Sequence, residues 1–75
     1  LLKVQTINDN LFKNNKNIKR IAIPPFVNLI GFSAFYGCSS LIQIIIPSSI
    51  TSIGNYSFYE CSSLTQITIP CSVNS

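Results

Sequence analysis

Cys38, Cys61, Cys71, Asp9 and Glu60 are the residues of this 75-residue chain best suited to acid–base, nucleophilic or metal chemistry, and the chain contains no histidine. A zinc centre takes about four Cys, His or carboxylate ligands, and three cysteines without a Cys-x-x-Cys pair do not supply one. General acid–base catalysis needs two titratable groups brought to one place. Two isolated carboxylates, no triad and no phosphate-cradling glycine loop leave nothing to assemble. No cofactor motif is present either. The expectation is a chain that is not an enzyme and holds no metal and no cofactor.

Charge excludes two further classes. Lys3, Lys13, Lys16, Lys19 and Arg20 are the only basic residues, and Glu60 is the only charge after them. A nucleic-acid surface would carry basic residues along one face of the whole molecule, so the basic start reads as a solvated polar segment and no nucleic-acid partner is expected. The longest apolar runs, such as Ile44-Ile45-Ile46, fall far short of a membrane span. The chain has no initiator methionine and no secretory-leader pattern at its start, and it reads as a piece of a longer array.

The elements that carry these residues are organised by a repeat. Phe35 returns as Phe58, Cys38-Ser39-Ser40-Leu41 as Cys61-Ser62-Ser63-Leu64, and Ile44-x-Ile46-Pro47 as Ile67-x-Ile69-Pro70, always 23 residues on. Three copies fall in register at 4–26, 27–49 and 50–72, with a fourth beginning at Val73. Seven columns agree in type: Val4/Val27/Ile50/Val73, Ile7/Ile30/Ile53, Phe12/Phe35/Phe58, Ile18/Leu41/Leu64, Ile21/Ile44/Ile67, Ile23/Ile46/Ile69 and Pro24/Pro47/Pro70. Asp9 and Glu60 fall in different columns. One such unit cannot bury its apolar face alone, whereas stacked units turn the columns into a continuous core. A β-rich solenoid with little or no α-helix follows.

Within each unit, 20–23, 43–46 and 66–69 alternate as strands do, with Ile44 and Ile46 inward and Gln43 and Ile45 outward. β-Branched residues suit a strand, and a proline that lacks its N–H ends it. Successive strands are expected to pair in parallel about 4.8 Å apart. The phenylalanine column is expected to fill the wide half of the core. Gly31 and Gly54 mark a turn, with Asn8 at the matching place as a residue tolerant of left-handed φ. Ser39-Ser40 and Ser62-Ser63 read as turns whose hydroxyls can bond local backbone. The rest of the return arm is expected as turns, 3₁₀ pieces or extended chain. The first copy is the least regular and reads either as a degenerate or near-terminal repeat or as one that has simply drifted.

Cys38 and Cys61 lie in one column. They are read as buried thiols acting as small hydrophobes, with an inter-coil disulfide as the competing reading, and Cys71 as a more exposed free thiol. The outward strand positions form the candidate binding surface: Arg20, Gln43 and Gln66 in one column, Ala22, Ile45 and Thr68 in another, flanked by Lys19, Ile42 and Thr65. Exposed isoleucine beside glutamine and threonine suits a protein partner better than phosphate. Tyr36, Tyr56 and Tyr59 read either as an aromatic contact strip on the return side or as edge packing, and Asn55-Tyr56-Ser57 is a glycosylation sequon that matters only if the chain is secreted.

Leu41-x-x-Ile44-x-Ile46-Pro47-x-x-Ile50-x-x-Ile53-Gly54-x-x-x-Phe58-x-x-Cys61-x-x-Leu64 resembles the BspA-type, or Treponema pallidum-type, leucine-rich repeat. The resemblance covers nearly the whole chain. It implies a right-handed leucine-rich-repeat coil with a concave parallel sheet. The general leucine-rich pattern places Asn or Cys three residues after the last strand leucine. Here that column holds Phe26, Ser49 and Ser72. The resemblance further implies cell-surface adhesion in anaerobic bacteria or protists, with matrix proteins such as fibronectin and fibrinogen, or other microbes, as partners. An intracellular interaction scaffold or signalling module in the cytoplasm would use the same strand face.

Overall fold

The computed structural model describes residues 5–73; Val4, which opens the first repeat, and the last two residues lie outside the described part. Five short strands follow in chain order: β1 (Thr6–Ile7), β2 (Arg20–Ala22), β3 (Leu29–Ile30), β4 (Gln43–Ile45) and β5 (Ser52–Ile53). There is no helix among them. They form two parallel sheets, β1-β3-β5 and β2-β4. Every pairing runs at the sequence period: Thr6 lies beside Leu29, Leu29 beside Ser52, and Arg20 beside Gln43. The chain therefore climbs one coil per 23 residues.

Strand phase in the second coil follows the alternation. Ile44 and Ile46 are buried, Ile45 is 55% exposed, and Gln43 is half-buried. In every coil a proline carbonyl then accepts from the N–H three residues on, as in Val27 to Pro24, Ile50 to Pro47 and Val73 to Pro70. These bonds turn the chain toward the second sheet. The third copy differs from the expected strand at 66–69. It meets β4 through a single bridge, Gln43 with Gln66. Ile69 there is 51% exposed. Among the described residues this segment has a neighbour on one side only, so β-branched content alone does not extend the ladder.

The sheet β1-β3-β5 is the element that sequence reasoning left as turns and extended chain. Its strands have two residues, too few to show a period. Between the two sheets runs a third set of coil-to-coil bonds. Asn10, Phe12 and Asn14 donate their N–H groups to the carbonyls of Phe32, Ala34 and Tyr36, and Ser33, Phe35 and Gly37 repeat the pattern to Asn55, Ser57 and Tyr59. Two columns in this arm are left-handed in all three coils: Asn10, Ser33 and Tyr56, then Asn14, Gly37 and Glu60. A left-handed residue other than glycine costs about 1–2 kcal/mol. The conformation persists because it aims those N–H groups at the next coil.

Gly31 and Gly54 open the turn as expected, their carbonyls accepting from the Ala34 and Ser57 N–H groups, and they serve a second purpose. Neither is left-handed, and Asn8 at the matching place is not left-handed either. A Cβ on Gly54 would stand 2.6 Å from the backbone of Gly31 and Phe32, and one on Gly31 would stand 2.7 Å from the Ile7 carbonyl oxygen. The glycines let consecutive coils touch, backbone on backbone.

The core holds the apolar columns, except that Ile67 and Ile69 of the third coil, expected inward, stand 40% and 51% exposed. Phe35 is fully buried between Phe12, with ring centroids 5.3 Å apart, and Phe58, at 5.5 Å with the planes 5° apart. Val27, Ile30, Leu41, Ile44 and Ile50 close around it. Truncating Phe35→Ala removes the middle ring of the stack, and urea melts are expected to show a loss of about 3–5 kcal/mol. Gly54→Ala forces two coils apart and is expected to lose about 1–3 kcal/mol in the same assay.

Candidate protein-binding surface

The strand-face residues come together as the register dictates. Arg20 pairs with Gln43 and Gln43 with Gln66, so these three form one row up the molecule. Ala22 pairs with Ile45 in the adjacent row. Arg20, Ala22, Ile45, Gln66 and Thr68 are exposed, as are Lys19 and Thr65 at the flank, while Ile42 is half-buried. Thr68 is not in ladder register with Ile45, because the third segment leaves β4 after Gln66. A shallow hollow of about 160 Å³ opens at that divergence, lined by Gln43–Ile46, Gln66 and Thr68. A larger hollow of about 260 Å³ lies against the first coil among Ile7, Phe12, Ile21, Ile23 and Val27. Those are core columns, so it is the packing face of a coil.

The groups first considered for chemistry have structural work. Asp9 accepts the Phe32 N–H at 2.8 Å and so ties coil one to coil two. Among the described residues no three His, Cys, Asp or Glu side chains gather. Cys38 donates its thiol to the Phe12 carbonyl and Cys61 to the Phe35 carbonyl, both at 3.1 Å. All three cysteines are free. Burial pushes the Cys38 and Cys61 thiols up from their ordinary range, which disfavours the reactive thiolate. In coil one Asn15 occupies this column, and its Oδ1 accepts the N–H groups of Asn17 and Ile18 at the corner where the later coils have serines.

Serine fills the place where the general pattern has asparagine. Ser49 donates to the Val27 carbonyl at 2.6 Å and Ser72 to the Ile50 carbonyl at 2.7 Å. Sequence reasoning missed these cross-coil side-chain bonds, although Ser49 and Ser72 already stood in one column. In the sequon Asn55 is exposed, but Ser57 is buried with its hydroxyl bonded to the carbonyls of Gly31 and Gly54.

Parallel strands in a 23-residue coil, an apolar ladder inside and side-chain bonds to the preceding carbonyls define a leucine-rich repeat solenoid. The chain belongs to the BspA-type leucine-rich repeat family, whose six-copy region matches residues 2–75. It is similar to the solved leucine-rich repeat protein of Treponema pallidum, with a TM-score of 0.91 and 32% identity over 96% of this chain and 34% of that one. It is also similar to a leucine-rich repeat protein from Bacteroides capillosus, with a TM-score of 0.88 and 33% identity over 93% of this chain and 50% of that one. The chain thus spans a third to a half of the length of these proteins. No curated protein sequence matches it. No helix among the described residues is long and apolar enough to cross a membrane.

The thiol geometry is checked by titration with a disulfide reagent. Cys71, exposed, is expected to react at once in the native protein, while Cys38 and Cys61 react only as urea unfolds it.

Proposed function

We propose that this chain is part of a longer repeat array that binds protein ligands through its strand face and performs no catalysis. Arg20, Ala22, Gln43, Ile45, Gln66 and Thr68 are the contact residues. The carrying observation is Ile45. It stands exposed on β4 between Ile44 and Ile46, both buried, so the fold gains no core from it. An apolar side chain displayed among glutamine and threonine is the composition of a protein contact. The apolar hollow at coil one supports the longer array, since the same columns are covered wherever another coil lies on them.

The finer reading is adhesion at a cell surface. It rests on the family, whose members include surface adhesins of anaerobic bacteria and protists, and it makes matrix proteins such as fibronectin or fibrinogen the first ligands to try. The test compares the full-length protein with a variant changed at Gln43, Ile45, Gln66 and Thr68, on immobilised fibronectin and fibrinogen. Saturable binding that drops at least tenfold in a variant of unchanged stability is the expected result. A folded wild-type protein that binds neither matrix protein removes both ligands, and binding that survives the substitutions moves the contact off the strand face.

A further inference from the structure

A second exposed surface lies on the turn arm, away from the strand face. Phe32, Tyr56 and Tyr59 are 47%, 58% and 52% exposed. Their rings touch: Phe32 meets Tyr56 edge-on at 5.8 Å, Tyr56 meets Tyr59 edge-on at 5.7 Å, and Tyr59 meets Tyr36 at 5.4 Å. The repeat supplies an internal control for why they are there. In coil one the places of Phe32, Tyr56 and Tyr59 belong to Asp9, Asn10 and Lys13. That coil has the same turn, is left-handed at the same two positions and makes the same backbone bonds to its neighbour. The backbone therefore does not require aromatic rings at these places, unlike the phenylalanine of the core. Coil three also sets a tyrosine and a glutamate at the two left-handed positions, Tyr56 (φ 62°) and Glu60 (φ 60°), where the other coils use Asn, Ser and Gly. Bulky residues are disfavoured there, and both belong to the exposed cluster or its margin.

Charge indicates what fits. Glu60 directly follows Tyr59 in the same turn, and it is the only charged residue after Arg20. At the other end of the ring row the Lys13 ammonium sits 5.3 Å from the Tyr36 ring centroid, so this row already takes a cation on a ring. We propose that Phe32, Tyr56 and Tyr59 with Glu60, beyond the Tyr36 ring that Lys13 covers, form a docking site for an arginine side chain presented by a partner protein. The planar guanidinium lies on aromatic faces and pairs with the carboxylate, and exposed tyrosines with arginine make the hot spots of protein interfaces.

The test uses the full-length protein and the peptide acetyl-Gly-Arg-Gly-Arg-Gly-amide, with a matched peptide carrying uncharged citrulline in place of arginine. Binding is followed through the tyrosine ring resonances. Saturable shifts at Tyr56 and Tyr59, with the arginine peptide at least fivefold tighter, are expected. E60Q is expected to reduce that preference, leaving what the aromatic faces contribute, and an unchanged preference in E60Q overturns the carboxylate pairing. Y56N is expected to lower affinity at least fivefold while the urea midpoint holds or rises, because Asn10 occupies that position in coil one. Equal affinity for the two peptides, shifts confined to the strand face around Ile45, or full affinity in Y56N each overturn the proposal. So does perturbation of the tyrosines by cellobiose but not by the arginine peptide, which would make the surface a carbohydrate platform. None of these variants touches the strand face, so a failure here is separable from a failure of matrix binding.

Discussion

Backbone hydrogen bonding between successive coils is the constraint on which the rest of this molecule depends. No helix among the described residues satisfies its own N–H and C=O groups, and no strand exceeds three residues. Buried backbone groups left unpaired are costly. Each coil therefore has to place its donors and acceptors where the adjacent coil presents the complement. It does so on two sheets and along the turn arm between them. A repeat of fixed length is the simplest chain that meets this demand, because identical geometry recurs at every step.

Side chains are then selected by what the close contact of coils allows. Glycine stands where two backbones meet at Gly31 and Gly54, and flat rings stack through the core from Phe12 to Phe58. Small polar groups serve where a carbonyl of the preceding coil needs a donor, the first at Val27 and Ile50 and a second at Phe12 and Phe35. Serine hydroxyls do this at one corner and cysteine thiols at another. The cysteine column thus belongs to the same class of device as the serine column. A thiol is a weak donor, yet it is also apolar enough to remain in the core.

Much of this was legible in the sequence, and the parts that were not share a cause. Columns such as Phe12/Phe35/Phe58 and Ile7/Ile30/Ile53 reveal themselves because a core position constrains residue type. The inward phase of Ile44 and the outward phase of Ile45 follow from alternation. The left-handed positions were not legible, because Asn10, Ser33 and Tyr56, like Asn14, Gly37 and Glu60, have no residue type in common; backbone bonding imposes the conformation. The two-residue strands of β1-β3-β5 are too short to carry a pattern. Gly31 and Gly54 were legible as the start of a turn, but not as the place where two backbones touch, because that depends on the neighbouring coil. For the candidate surface, the sequence placed the strand-face residues in rows, whereas the joining of Phe32 to the tyrosines depends on how two turns stack.

The constant register has a consequence for how such a molecule can change over generations. Gaining or losing one residue inside a coil would shift every later column against the coil below, bringing polar side chains under the phenylalanine stack and moving Gly54 off Gly31. Removing or duplicating 23 residues would leave each seam joining the same faces as before, with Ile7 standing to Ile53 as it now stands to Ile30. Length variation in this architecture is thereby quantised: whole coils can be exchanged between segments that share the same columns, while single-codon insertions are confined to places where the chain bulges away from its neighbours. Surface residues such as those of the tyrosine cluster can then be redistributed with their coil as a unit.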